Sequence, residues 1–288
     1  MQDFKREARF LGRLLPSGTI SLAPQWLLRA RMTATAIMFT GFGFAVAADG
    51  NQLFGDSPNL VPDFENGESD CAQKVFGVEG RNFAIAYIMR GKIATERRTF
   101  DASVEMQKEV ACLSRRRFDA PRELVNSAAK GLFRRIRAAH ESGILPCFLG
   151  LEIPFVGYFN GDPFCLNAEF FPTAHYQVRG QALDGWLFMF SGSQIIANLM
   201  QEGDKRIGYR IKGPDDQPSL HDAIEATRAY IEACSSQWAL EVDPKNCRGL
   251  GGHIHIATVT PPVRLSWFVS LFGSKTQGRF EWVIPPKK

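Results

Sequence analysis

Met32-Thr33-Ala34-Thr35-Ala36-Ile37-Met38-Phe39 leads through Gly41 and Gly43 to Ala47-Ala48-Asp49. A small hydroxyl residue follows a methionine directly. An apolar strand, a tight turn, a second apolar strand and an acid come after it. The pattern predicts a β-hairpin, with Thr33 to Phe39 and Phe42 to Ala48 paired across Thr40-Gly41. Were Thr33 the first residue of a mature chain, one residue would carry both a hydroxyl and a free α-amine, a nucleophile with its own base. A free α-amine has an ordinary pKa of about 7.7–8.0, which suits a base that takes a proton and returns it near neutral pH.

Working outward, Lys74 to Val78 and Phe83 to Ile88 read as a second strand pair around Glu79-Gly80-Arg81. Both are apolar on both faces, as in a sheet buried between layers. Val104 to Cys112 reads as a helix. A longer helix opens at Ala120-Pro121, with Asp119 as N-cap and Pro121 in the first turn. Its stripe is Leu124, Ala128, Leu132 and Ile136, and it ends by Gly143. Lys130, Arg134, Arg135 and Arg137 read as its solvated face. Phe148 to Tyr158 and Phe164 to Phe170 form a hairpin over Asn160-Gly161-Asp162-Pro163. Trp186 to Phe190 is a short strand. Ser219 caps a helix whose core positions are Ala223, Ala226, Ile231 and Cys234. His253 to Val259 is expected to be the final strand, closed by Pro261-Pro262. Helices grouped between antiparallel hairpins give an α+β chain of two stacked sheets with helices outside.

The hairpin and three later features together resemble the β-type subunits of proteasomes and their bacterial relatives, a family of N-terminal nucleophile (Ntn) hydrolases. Thr33 opens a strand and Asp49, 16 positions on, ends the next. Lys74 precedes an apolar strand in Ala72-Gln73-Lys74-Val75-Phe76. Phe190-Ser191-Gly192-Ser193-Gln194 precedes the apolar run Ile195 to Met200, and Gly249-Leu250-Gly251-Gly252 leads into His253 to Ala257. The resemblance runs from Thr33 to about Thr260, with Gly50 to Cys71 as an inserted loop.

The resemblance implies a four-layer αββα sandwich and a threonine-type amide- or peptide-bond hydrolase acting through an acyl-enzyme. Thr33 would be nucleophile and base, Lys74 the electrostatic tuner of its amine, and Asp49 the anchor of Lys74. Ser191 and Gly192 would position the amine and a water, and a backbone N–H near Met89 to Gly91 would meet the oxyanion. No cofactor and no metal are expected. The partners expected are a peptide or small amide substrate and further copies of the same chain. The alternative is a non-catalytic proteasome-like assembly or binding protein.

Composition is that of an ordinary globular chain: 288 residues, 45% apolar and 22% charged. Residues 1–32 carry six basic and two acidic side chains, the whole net charge of +4. Taking these from the 34 basic and 30 acidic residues leaves 28 of each beyond Met32, so the body offers no nucleic-acid footprint. The leader reads as a propeptide, as a targeting segment, or as sequence ahead of a true start at Met32. The last fits best, because methionine aminopeptidase would then expose small Thr33. Residues 33–262 form the hydrolase-like domain. Residues 263–288 are a C-terminal extension, either a strand pair or a segment that packs on a neighbour. No apolar run reaches the roughly 18 residues of a membrane span. Six scattered cysteines read as thiols in a reducing, cytoplasmic setting, with Cys147 and Cys165 flanking one hairpin. His253-Ile254-His255 would place two imidazoles on one strand face but lacks a third ligand with zinc spacing.

Overall fold

The computed structural model describes residues 33–50, 73–91, 100–145, 147–183, 185–262 and 278–286. Residues 1–32, most of the loop from Gly50 to Cys71, and much of the C-terminal extension therefore lie outside the described residues.

The opening hairpin is present. Strand β1 (Thr35–Thr40) pairs antiparallel with β2 (Gly43–Ala48), and every residue of both is buried. β9 (Leu187–Ser191) adds to the other side of β1, with Thr35 opposite Ser191. β10 (His255–Thr260) adds to β2, and β11 (Arg279–Ile284) adds to β10. The first sheet therefore runs β11-β10-β2-β1-β9. β10 is not the last strand. The extension returns as β11 and lays the Phe280 ring over Gly77, where a Cβ would collide with it.

The second sheet runs β3 (Val75–Glu79), β4 (Phe83–Ile88), β6 (Leu151–Phe159), β7 (Asp162–Phe171) and β8 (His175–Gln181), with the two-residue β5 (Arg90–Gly91) also on β6. Asn160 and Gly161 both have positive φ, which makes the predicted turn between β6 and β7. Pro154 lacks an N–H and lies where β6 leaves β4 for β5, between the pairs Tyr87–Phe155 and Arg90–Glu152. Sequence reading missed β8. It is a polar edge strand that sends only Tyr176 and Val178 to the core.

Helices cover the outer faces. α1 (Ala102–Leu113) and α2 (Pro121–Glu141) lie on the second sheet. α3 (Gln194–Glu202) and α4 (Leu220–Cys234) lie on the first, followed by the short α5 (Gln237–Val242) and α6 (Pro244–Cys247). The predicted stripe of α2 is buried throughout. Its N-cap, however, is Ala120 rather than Asp119, because Pro121 occupies the first helical position. The Asp119 N–H is held instead by the Glu123 carboxylate, at 3.1 Å. Ser219 caps α4 in a reciprocal box with Asp222, as its spacing predicts.

Three apolar layers result. One lies between α1–α2 and the second sheet, one between α3–α4 and the first, and a central one between the sheets, built from Ile37, Phe39, Phe44, Val46, Ile88, Val156 and Val259 among others. Alternation along β1 sends Ala34, Ala36 and Met38 to the helices and Ile37 and Phe39 to the partner sheet. Thr33 and Thr35 share the second direction, so the candidate nucleophile belongs to the space between the sheets. The architecture is the four-layer αββα sandwich.

Candidate active site

Asp49 is the hub. Its residue closes the hairpin ladder, the Asp49 N–H donating to the Ala34 carbonyl at 3.0 Å while the Ala34 N–H donates back to Asp49 Oδ1 at 3.0 Å. Lys74 Nζ reaches the same Oδ1 at 2.8 Å. The Gly251 N–H, from the turn after α6, reaches Oδ2 at 3.3 Å. Asp49 is fully buried and Lys74 nearly so. Burial pushes the Asp49 carboxyl above its ordinary range, while the Lys74 ammonium and the N–H groups of Gly251 and Ala34 pull it back down. An acid at this depth is tolerated because all of these donors converge on it.

Lys74 is fixed through its backbone as well. Its N–H donates to His255 Nε2 at 3.1 Å, the Val75 N–H donates to the same nitrogen at 3.3 Å, and its carbonyl accepts the Met89 N–H at 2.9 Å. Two donors on Nε2 require that it be a lone-pair acceptor, which puts the imidazole proton on Nδ1. Burial, with the Lys74 and His253 charges nearby, pushes the His255 pKa down to about 3. His253 precedes β10, and its Nε2 lies 2.7 Å from the Pro285 carbonyl oxygen. Among the described residues no group of three or more His, Cys, Asp and Glu converges as a metal site.

Ser191 pairs with Thr35, and Gly192 lies beside Ala34. Gly192 has φ +126°, and a Cβ there would sit 3.1 Å from the Tyr230 hydroxyl and 3.5 Å from Ala34 Cα. Tyr230, buried on α4, directs its hydroxyl at the carbonyls of Ser191 (3.4 Å) and Ser193 (3.2 Å). The Ser193 hydroxyl donates to Asp243 Oδ2 at 2.5 Å and accepts the Ile196 N–H at 3.2 Å, which caps α3. Beneath it Cys234 and Cys247 interact, burial pushing the Cys234 thiol up and the contact with Cys234 holding Cys247 lower. All five described cysteines are free; Cys147 is exposed and Cys165 is buried.

The structure thus gathers Asp49, Lys74, Ser191 and Gly192 around the segment that runs from Thr33 into β1, and Thr33 is 9% exposed. Met89 does not serve as the expected oxyanion donor, since its N–H is spent on Lys74. His255, Tyr230, Ser193 and Asp243 were not read from sequence as site residues. Asp243-Pro244 carries a cap signal, and His255 reads only beside His253 as an incomplete zinc pair, so neither marks this role. Arg90 was missed too. Its Nε donates to Thr35 Oγ1 at 2.8 Å and its Nη1 to Glu152 Oε1 at 3.3 Å.

No protein-family model matches the chain, and no curated protein matches its sequence. Solved structures do match. The helical assembly of the Anbu complex from Pseudomonas aeruginosa superposes with a TM-score of 0.52 at 11% identity, over 88% of each chain. An Anbu (Gly-1) mutant from Hyphomicrobium sp. strain MC1 gives 0.48 at 12% identity, over 88% of this chain and 87% of that one. Anbu, the ancestral beta-subunit, from Yersinia bercovieri gives 0.48 at 12% identity, over 80% and 82%. At such identity the first of these supports the shared fold. No helix of the described residues is long and apolar enough to cross a membrane.

Proposed function

We propose that the chain is a threonine-type amide-bond hydrolase whose nucleophile is Thr33 once residues before it are gone. The observation that carries this is the Asp49 hub, which ties Ala34, the residue after Thr33, to Lys74 and to the Gly251 turn in one buried cluster. A buried ion pair is costly to place and seldom improves on apolar packing for stability alone. Here it sits one residue from the only hydroxyl in the chain that follows a methionine at a strand start.

In this reading the free Thr33 amine takes the proton from its own hydroxyl as Oγ1 attacks the substrate carbonyl. The Lys74 ammonium keeps that amine largely unprotonated by like-charge repulsion, and Asp49 keeps Lys74 charged and in place. Collapse of the tetrahedral adduct breaks the C–N bond, and the amine's proton goes to the leaving nitrogen. Water then attacks the threonyl ester, gives a proton to the amine, and the hydroxyl of Thr33 is restored. Ser191 and Gly192 border the amine. The partner reading is a homo-oligomer, in keeping with the helical assembly named for the Pseudomonas protein. The free thiols agree with a reducing compartment such as the cytoplasm.

Intact mass and N-terminal sequencing of the protein from its natural host, with Thr33→Ala as activity control, test the proposal. A chain beginning at Thr33, active on fluorogenic peptide amides and silent after the substitution, supports it. A chain that keeps residues 1–32 sinks it and leaves a proteasome-like assembly or binding protein.

A further inference from the structure

We propose that Arg90 and Asn167 form the recognition site for a side-chain carboxamide of the substrate, a glutamine or asparagine next to the bond that is cut. This rests on the hydrolase reading above and names its substrate class.

Arg90, Glu152, Asn167 and Glu169 all lie on the inner face of the second sheet, because their neighbours Met89, Leu151, Leu166 and Phe170 face the helices. Arg90 is 3% exposed, and its Nε bond to Thr35 sets the guanidinium one inward-facing position from Thr33, roughly 7 Å along the strand. Its Nη2 is buried and has no hydrogen-bond partner among the described residues. Asn167 donates Nδ2 to Glu152 Oε1 at 2.9 Å and to Glu169 Oε1 at 3.3 Å. Two carboxylates fix that amide's orientation, since only its NH2 end can serve them. The oxygen Oδ1 is left buried without a partner among the described residues. Arg90 Nη1 and Asn167 Nδ2 both donate to Glu152 Oε1, so the residue with an unmatched donor and the residue with an unmatched acceptor share one carboxylate, and Arg90 is tied to Thr35, two residues from the proposed nucleophile.

Buried polar atoms of this kind cost free energy until something meets them. Charge decides what meets them. Arg90 is matched by Glu152 and Glu169 by Arg179 at 3.8 Å, so neither an acidic nor a cationic side chain would find an unpaired counter-charge. A primary carboxamide is neutral and offers one acceptor to Nη2 and donors to Oδ1. A site built to satisfy both ends discriminates strongly against an apolar isostere, which leaves its own groups unpaired.

The test separates recognition from turnover. Binding of acetyl-Ala-Ala-Gln 7-amido-4-methylcoumarin is measured calorimetrically against its methionine and glutamate counterparts, using chain that starts at residue 33 and carries Thr33→Ala. The glutamine probe should bind at least tenfold tighter than either, and Asn167→Leu should bring the ratio near one. Arg90→Lys keeps a cation for Glu152 while removing Nη2, and should do the same if the leucine variant does not fold. Equal binding of the three probes, no binding of the glutamine probe, or a preference that survives both variants overturns the proposal, and a bridging water then accounts for the two atoms. Turnover by the chain with Thr33 intact is read separately. Selective binding without turnover keeps the recognition site and sinks the hydrolase; turnover without selectivity does the reverse.

Discussion

His255 Nε2 accepts the backbone N–H of Lys74 across 181 positions of sequence. The imidazole thereby holds the strand start that presents the Lys74 ammonium to Asp49, and it can do so only while neutral. The folded pKa of about 3 lies below the ordinary 6.5. Below pH 6.5 the unfolded chain takes up a proton that the folded chain refuses. Stability is therefore complete above about 6.5 and is lost as pH falls toward 3, by up to about 4–5 kcal/mol. Urea unfolding across that range should show the slope. His255→Gln keeps an acceptor but cannot titrate, so its curve should be flat from pH 6.5 to about 5.

Breaking the Lys74–Asp49 pair should be asymmetric. Asp49→Leu strands a buried ammonium and the N–H groups of Ala34 and Gly251, and should cost about 3–5 kcal/mol. Lys74→Met leaves a carboxyl that burial already pushes toward its neutral form and that keeps both backbone donors. Its cost should be smaller by at least about 1 kcal/mol. Denaturant melts of both single variants and the double variant decide it; equal costs would mean that the carboxyl stays charged without Lys74.

Gly77→Ala should loosen β11. The added methyl would fall on the Phe280 ring, and the Phe280 N–H is also bound to Glu79 Oε1 at 2.8 Å. Overpacking of this kind costs about 1–3 kcal/mol. Phe280→Leu should recover part of that loss in the double variant and little in the wild type. Melting temperatures of the four chains give the coupling.

The hairpin, the α2 stripe and the Ser219 cap were legible in sequence because each is a local pattern of period, turn or cap. Asp49 and Lys74 were legible only through the family resemblance; as isolated residues they are a turn acid and a solvated lysine. The shift of the α2 cap to Ala120 follows from Pro121, which fixes the first helical position more firmly than a side-chain bond does. β8 was not legible, because an edge strand has little apolar alternation to show. His255, Tyr230 and Arg90 were not legible because their partners lie 181, 39 and 55 positions away. Nothing local distinguishes them from ordinary strand or helix residues.

The bond from Gly251 to Asp49 spans 202 positions. A growing chain that has made the opening hairpin, both sheets' first strands and every helix through α4 still lacks it, and lacks His255 behind Lys74. Contacts so distant in sequence form late and slowly. The order of synthesis therefore completes the cluster last: Asp49 and Lys74 gain their Gly251 and His255 partners only after nearly the whole chain has emerged and folded.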